Sequence, residues 1–382
     1  MEIGWTILYT IDILLFIIVS ITVLYFTVFS FASLFSQHKT VPSAKRFNRF
    51  IILIPSYKKD DNIIETVKSI LGQTYPERLF DITVISDHQK EITNFKLAQY
   101  PITLLTPNFK NSSKARSLQL AINNLPQFKI YDVVIILDAG SLVEPEFLQQ
   151  MNDAFEIAGT KAIQAHRLSK NRDTAIAHLD AIFEEINNSV FRRGHITLGI
   201  SAAISGSGVA YDYKWFANNI TKVKTAGEDK EIESLLMRQR IFIDYFDNIF
   251  VYDEKTRGSQ EFKEQRSRWV ATQLKSILSN IKYLPAALLS KRYDFVDKIL
   301  QWMLVPRTIM VCIIAFMSII LPFIYLSIAI KWWLLFAFIL FVFAMATPDY
   351  LVDKNWNKTF YSIPKVVFSS IISRLTKNQD KA

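Results

Sequence analysis

Cysteine is almost missing from this chain: Cys312 is the only one in 382 residues. A disulfide framework and a cysteine-ligated zinc site are therefore both excluded. Histidine is scarce too, and His88, His166 and His195 lack the short spacing of a metal centre. They read as structural or substrate-lining. The chain has no basic start of the kind that opens a cleaved leader, because Glu2 and Asp12 are the only charges before Phe35. Charge is wholly absent from Ile13 to Phe35 and from Thr308 to Ile330. Each run exceeds the roughly 20 residues needed to cross a bilayer core, so each reads as a membrane span. Trp332 to Thr347 is shorter and reads as a third span, with Lys331 and Asp349 at its interfaces. Trp302, Trp332 and Trp333 fall where an aromatic belt would place them.

What is plentiful is positive charge, +9 overall. Lys39, Lys45, Arg46 and Arg49 follow the first span. Lys291, Arg292, Lys298 and Arg307 precede the second, and Lys354, Lys358 and Lys365 follow the third. With three spans all these clusters fall on one side. The expectation is a multi-pass protein of the cytoplasmic (inner) membrane whose middle region and C-terminus face the cytoplasm. Contact with anionic lipid and an anionic substrate accounts for the basicity. Nothing resembling a nucleic-acid module accompanies it.

Between the apolar ends, strand and helix patterns alternate. "RFIILIPS" from Arg49, "FDITVISD" from Phe80, "ITLLT" from Ile102, "YDVVIIL" from Tyr131 and "KAIQAHR" from Lys161 read as strands. Helical spacing covers Asn62–Gly72, a segment capped by Ser112 or Ser113, another from Glu146, one from Asn171 to Gly194, and Asp229–Gln239. The pattern predicts an α/β fold with a mostly parallel sheet covered on both faces. The expected division is a span over 1–36, a linker over 37–48, an α/β domain over 49–272 and interfacial helices over 273–301. Two spans over 302–348 and a cytoplasmic amphipathic tail over 349–382 complete it.

Two predicted strands end in acids, Asp87 and Asp138, where ligands bind in open α/β sheets. Each acid alone reads as a turn cap; two at strand ends point to a shared crevice. Glu228 and Asp229, in "AGEDKEIE", fall at a helix start, where acids favour the first turn. In "EQRSRW", Gln265, Arg266, Arg268 and Trp269 would equally suit an interfacial anchor. Lys114 opens a capped helix, whose N-terminus suits phosphate.

In this order, "IILIPSYKKDD", "VISDH", "SKARSL", "ILDAGSLVEPEFL", "AGEDKEIE" and "QRSRW" resemble the membrane-bound family 2 glycosyltransferases. That group includes cellulose, chitin and hyaluronan synthases. "IQAHRLSKN", "INNSVFRRGHITLGIS" and "GSGVAYDY" resemble a bacterial branch of unassigned substrate. The likeness implies a cytoplasmic GT-A domain that takes a nucleotide-diphosphate sugar, UDP-linked by expectation, and a divalent metal, magnesium or manganese. Carried over by position, Tyr57 and Asp87 lie at the nucleotide base and Lys114 near the diphosphate. Asp138 becomes the first acid of D-x-D and the metal-binding residue. Asp229 becomes the catalytic base, and Gln265, Arg268 and Trp269 become the Q-x-x-R-W that holds diphosphate and acceptor sugar.

Two positions depart from the pattern. Gly140 stands where the second D-x-D acid belongs, which weakens any metal site, with Glu144 the nearest substitute; Lys59 replaces an acid. Three outcomes stay open at this level. One is transfer with inversion to a saccharide or lipid-linked acceptor, with the metal weakly held or replaced by Lys and Arg. The others are nucleotide binding without catalysis, and a pseudoenzyme that scaffolds partner membrane proteins. A transporter is disfavoured, since Asp12 is the one charge within the spans and offers no polar path.

Overall fold

A computed structural model of the chain describes residues 2–37, 39–126, 128–225, 227–353 and 356. Lys354, Lys358, Lys365 and the amphipathic tail read after 356 lie outside the described residues.

The apolar runs between 49 and 253 become strands because each has side chains for two covered faces. Among the described residues these are β1 (Phe50–Tyr57), β2 (Phe80–Asp87), β3 (Thr103–Leu105), β4 (Val133–Ile136), β5 (Leu142–Val143), β6 (Ala162–Ser169), β7 (Val209–Asp212) and β8 (Ile243–Asp253). They form one sheet in the order β3-β2-β1-β4-β7-β6-β8-β5. Strands β3, β2, β1 and β4 are parallel, β7 runs against both of its neighbours, and β6 pairs β8 in parallel. The carboxyl ends of β1, β2, β4, β6 and β8 therefore share one edge of the sheet.

Successive side chains on a strand point to opposite faces. Ile51 and Leu53 of β1, with Val134 and Ile136 of β4, join a core that includes Leu118, Phe216 and Leu236. Phe50, Ile52 and Ile54, with Val133 and Ile135, join the other core with Val67, Phe147 and Met151. An unbroken apolar run is what a strand buried on both sides requires.

The membrane-type helices differ from expectation in three respects. Thr6–Leu34, within the helix Glu2–Leu34, and Leu326–Ala346 are long and apolar enough to cross a membrane. The expected span Thr308–Ile330 is not one helix. It forms Arg307–Ile320 and a 3-10 turn at Leu321–Phe323 before Leu326 begins the next helix. Pro322 cannot continue the ladder of backbone bonds, and the marginal third stretch becomes part of a 21-residue helix. Tyr293–Met303 and Arg307–Phe323 make a bent pair with a 52° break, so a third crossing exists only if that pair acts as one span.

Second, Trp302 and Trp332 are not belt residues; both are buried. Trp332 donates its indole N–H to Asp12 Oδ1 at 2.8 Å, and Lys331 pairs with Asp12 Oδ2. Trp333 alone of the three stays partly exposed. Third, the expected interfacial segment enters the domain core: Ala287, Phe295 and Ile299 join the cluster around Leu236.

The first helix also docks on the domain. Phe29 stacks on the His195 ring at 3.8 Å, and Ser33 Oγ lies 2.7 Å from Ser189 Oγ. Tyr25 donates to Asp297 at 2.9 Å, and His195 Nε2 lies 3.1 Å from the other oxygen of that carboxylate.

Candidate active site

One end of the crevice is built by β1 and β2. Tyr57 and Asp87 are register partners at the last positions of these strands. The residues that follow them, Lys58 and His88, have φ of 51° and 57°, a conformation uncommon outside glycine. Asp87 is buried, with Oδ1 2.6 Å from His88 Nδ1. Its Oδ2 is buried without a partner among the described residues. A buried acceptor left unpaired is costly. Tyr57 is half exposed beside it, its ring edge-on to His88 at 5.7 Å.

Asp138 lies two residues beyond β4, on the far side of β1 from Asp87. Two inter-strand spacings separate their strands, roughly 10 Å, which suits a nucleoside laid across the strand tips. Ser113 caps the helix Lys114–Asn124 by accepting from the Arg116 N–H, and this sets Lys114 at the crevice. Its ammonium donates to Asp138 Oδ1 and to the Gly206 carbonyl, with Glu228 Oε1 at 3.7 Å. The Asp138 N–H donates to Ser207 Oγ at 3.0 Å. Burial alone would lower the Lys114 pKa and raise that of Asp138. Asp138 and Glu228 outweigh it at the lysine, and Lys114 and Arg167 outweigh it at the acid, so both stay charged.

Arg167 near the end of β6 and Asp253 at the end of β8 pair across that same edge. Asp253 also accepts from Ser141, which touches Ser207 at 2.8 Å. Sequence reading placed Arg167 on a strand without giving it a role. The signal was its position at a carboxyl end, the same rule that singled out Asp87 and Asp138.

Glu228 and Asp229 open the helix Glu228–Arg238. Burial pushes Glu228 up to about 7, Lys114 opposing and Asp229 adding to the shift. Asp229 is half-buried and has no ion pair among the described residues; its Oδ1 accepts from the Lys230 N–H at 2.9 Å. Glu228 reads from sequence as a capping acid, but it is a buried neighbour of Lys114.

The Q-x-x-R-W residues lie inside the helix Ser259–Asn280, not ahead of it. This helix packs alongside Glu228–Arg238: Ser234 donates to Asn280 Oδ1 at 2.6 Å, and Thr272 closes on Gly227. A Cβ at Gly227 would sit 1.9 Å from Thr272 Cγ2, so only glycine allows this approach. Thr272 is one turn beyond Arg268 and donates to its carbonyl at 2.9 Å. The exposed Arg268 and the partly exposed Trp269 are thereby carried to within about one helical turn, 5.4 Å along the axis, of the contact beside Asp229. Gln265, one turn earlier, has a buried side-chain oxygen with no partner among the described residues.

A divalent ion fits these side chains poorly. Gly140, with its N–H donated to Thr66 Oγ1, has φ +105°, a backbone in which an acid would be strained. Glu144 is committed to the Tyr252 hydroxyl at 2.6 Å. Among the described residues no three His, Cys, Asp or Glu side chains gather as a metal site. His166 bonds the Asp247 carbonyl and Glu185, each at 2.9 Å. The two carboxylates at this point, Asp138 and Glu228, already share the Lys114 ammonium. Magnesium and manganese want several oxygen ligands, and the protein supplies cations where those ligands would stand.

Asp87 and Asp138 thus stand at one edge of a mostly parallel α/β sheet, with the Lys114 ammonium between Asp138 and Glu228. A family profile described as "Glycosyltransferase like family 2" matches residues 48–272, and the chain belongs to that family. Hyaluronan synthase of Streptococcus pyogenes is 27% identical over 128 residues, covering 32% of this chain and 30% of that enzyme. This chain thus matches under a third of that relative's length. A structure of the mannosyltransferase PcManGT from Pyrobaculum calidifontis, in complex with GDP-Man and Mn2+, has a TM-score of 0.55 at 12% identity. It covers 88% of this chain and 97% of that one. TarS of S. aureus aligns with a TM-score of 0.43 at 14% identity, over 87% of this chain and 92% of that one.

Proposed function

We propose that the protein is a multi-pass membrane glycosyltransferase. Its domain faces the cytoplasm and moves a sugar, with inversion, from a UDP-type donor to a saccharide or lipid-linked acceptor. What supports this reading is that Asp87 and Asp138 stand at the same carboxyl edge of the sheet, that Lys114 pairs with Asp138, and that Lys114 also feels the charge of Asp229.

In this mechanism the Asp87 carboxylate accepts from the base N–H while Tyr57 lies against the same ring. Asp138 and Lys114 hold the sugar-diphosphate end. Asp229 takes the proton from the acceptor hydroxyl as that oxygen attacks the anomeric carbon and the bond to the diphosphate breaks. Negative charge gathers on the departing phosphate, and fixed cations there stabilise the transition state. Lys114, Arg167 and Arg268 supply that charge without a resident metal. Trp269 offers an apolar face to the acceptor ring, and Gln265 offers an amide to the same helix face.

UDP should raise the melting temperature of the purified full chain, with no further gain from magnesium or manganese. Lys114→Gln should weaken UDP by about tenfold, the loss of one charge-assisted hydrogen bond. Failure of UDP to bind under every metal condition would remove the basis of the reading. Gly140 favours one second reading, a nucleotide-binding partner without transfer; hydrolysis or transfer of the sugar nucleotide separates the two.

Glu228 makes the site pH-dependent. Below about 7 it is neutral; above that it adds a negative charge beside Asp138 and Asp229, where the diphosphate must sit. UDP affinity should therefore fall as pH rises from 6 to 8, by at most about tenfold per pH unit, the limit for one proton. In Glu228→Gln that slope should disappear. Because folding favours the neutral acid, its stabilising contribution is full below 4.5 and is lost as pH rises to about 7. A slope that persists in Glu228→Gln would assign the titration elsewhere.

A further inference from the structure

Behind Trp269 lies a second cationic cluster that the transfer chemistry leaves unused. Phe183, on the helix Ala175–Asn188, has two guanidiniums over its ring, Arg266 at 4.9 Å and Arg307 at 5.0 Å. Arg266 also lies 4.4 Å from the Trp269 ring centroid. One of its nitrogens donates to Asp180, while its Nε is buried without a partner among the described residues. Arg307 donates only to neutral oxygens, the Phe183 carbonyl at 3.1 Å and Asn187 Oδ1 at 2.9 Å. Among the described residues no carboxylate lies within ion-pair distance of it. Glu184, a nearby acid, is already shared by Arg192, Lys255 and Arg167 at 3.0, 3.4 and 3.9 Å.

The position of Arg307 sharpens the imbalance. It opens the 14-residue helix Arg307–Ile320, and the N-terminal end of a helix repels a cation. Burial pulls the Arg266 guanidinium below its ordinary pKa in spite of Asp180. Two partly desolvated guanidiniums with one carboxylate between them call for another anion. Planar forks match phosphate oxygens. The helix that Arg307 opens is the apolar arm of the bent pair Tyr293–Met303 and Arg307–Phe323, a candidate membrane crossing, so a hydrocarbon chain attached to that phosphate would enter the bilayer beside it.

We propose that Arg266 and Arg307 bind the phosphate of a lipid-linked acceptor, holding its sugar or phosphate end beside Trp269 at the seam between domain and membrane helices. The assignment deepens the transferase reading and rests on it for its link to catalysis.

The test uses the full chain in zwitterionic nanodiscs, with farnesyl phosphate, farnesol and inorganic phosphate as probes and UDP as a parallel ligand. Farnesyl phosphate should bind at least about tenfold more tightly than either farnesol or inorganic phosphate, one to two charge-assisted bonds in excess. Arg307→Gln and Arg266→Gln should each weaken it by about tenfold, with UDP affinity unchanged as the measure of an intact fold. Equal binding of farnesol, or full retention of farnesyl phosphate by both variants, would overturn the proposal. Inorganic phosphate binding as tightly as the lipid would overturn its lipid half, leaving a site for a free anion. Farnesyl phosphate binding in a protein that ignores UDP would instead sink the transferase reading and leave this site standing.

Discussion

Asp229→Asn should lower sugar transfer by about 10²–10⁴-fold, the usual contribution of a positioned base, while UDP affinity stays unchanged. The substitution keeps the shape of the first helical turn and the hydrogen bond from the Lys230 N–H. It removes only the capacity to accept a proton. Other acids nearby do not replace it: Asp138 is held by Lys114, and Glu228 is buried and neutral below about 7. Single-turnover transfer and UDP binding measured on the same preparation check the split. Transfer within threefold of the native rate would remove Asp229 from the chemistry.

Lys298→Met should destabilise the protein by about 3–5 kcal/mol, the cost of stranding one partner of a buried ion pair. Lys298 and Glu233 are both fully buried, 3.1 Å apart, and Lys298 also donates to Gln301 Oε1 at 2.6 Å. Burial alone would raise the Glu233 pKa, but Lys230 and Lys298 outweigh it and keep the acid charged. Glu233 also accepts from the Ile204 N–H at 3.0 Å. Removing the ammonium leaves a charge with half its compensation beneath the helix that carries Asp229. Denaturant unfolding in detergent reads the loss, and Lys298→Met with Glu233→Gln should recover part of it. A loss under 1 kcal/mol for the single variant would show that water reaches the pair.

The strands that carry the site were legible because the information is local. The runs around Ile52 and Val134 have apolar residues for both faces, and the acids at their ends follow directly from strand length. Asp229 and the Arg–Trp pair came from ordered motifs, not from spacing. Glu228 and Arg167 stayed hidden because their environment is assembled from segments far apart in the chain: Glu228 matters only because Lys114 reaches it, and Arg167 because Asp253 returns beside it. Trp332 misled for a related reason. A helix apolar all round gives no sign of which face meets lipid and which meets protein, and its indole turns inward to Asp12. Counting uncharged residues also hid the break at Pro322.

The docking of the first helix has a mechanical consequence. Phe29 and Ser33, in its last turns, grip His195 and Ser189, so the domain rides on a strut instead of a leash. The sheet edge with Asp87 and Asp138 is thereby kept at one fixed height from whatever layer surrounds the upper turns. On the proposed function, an acceptor must present its hydroxyl at that height to be served.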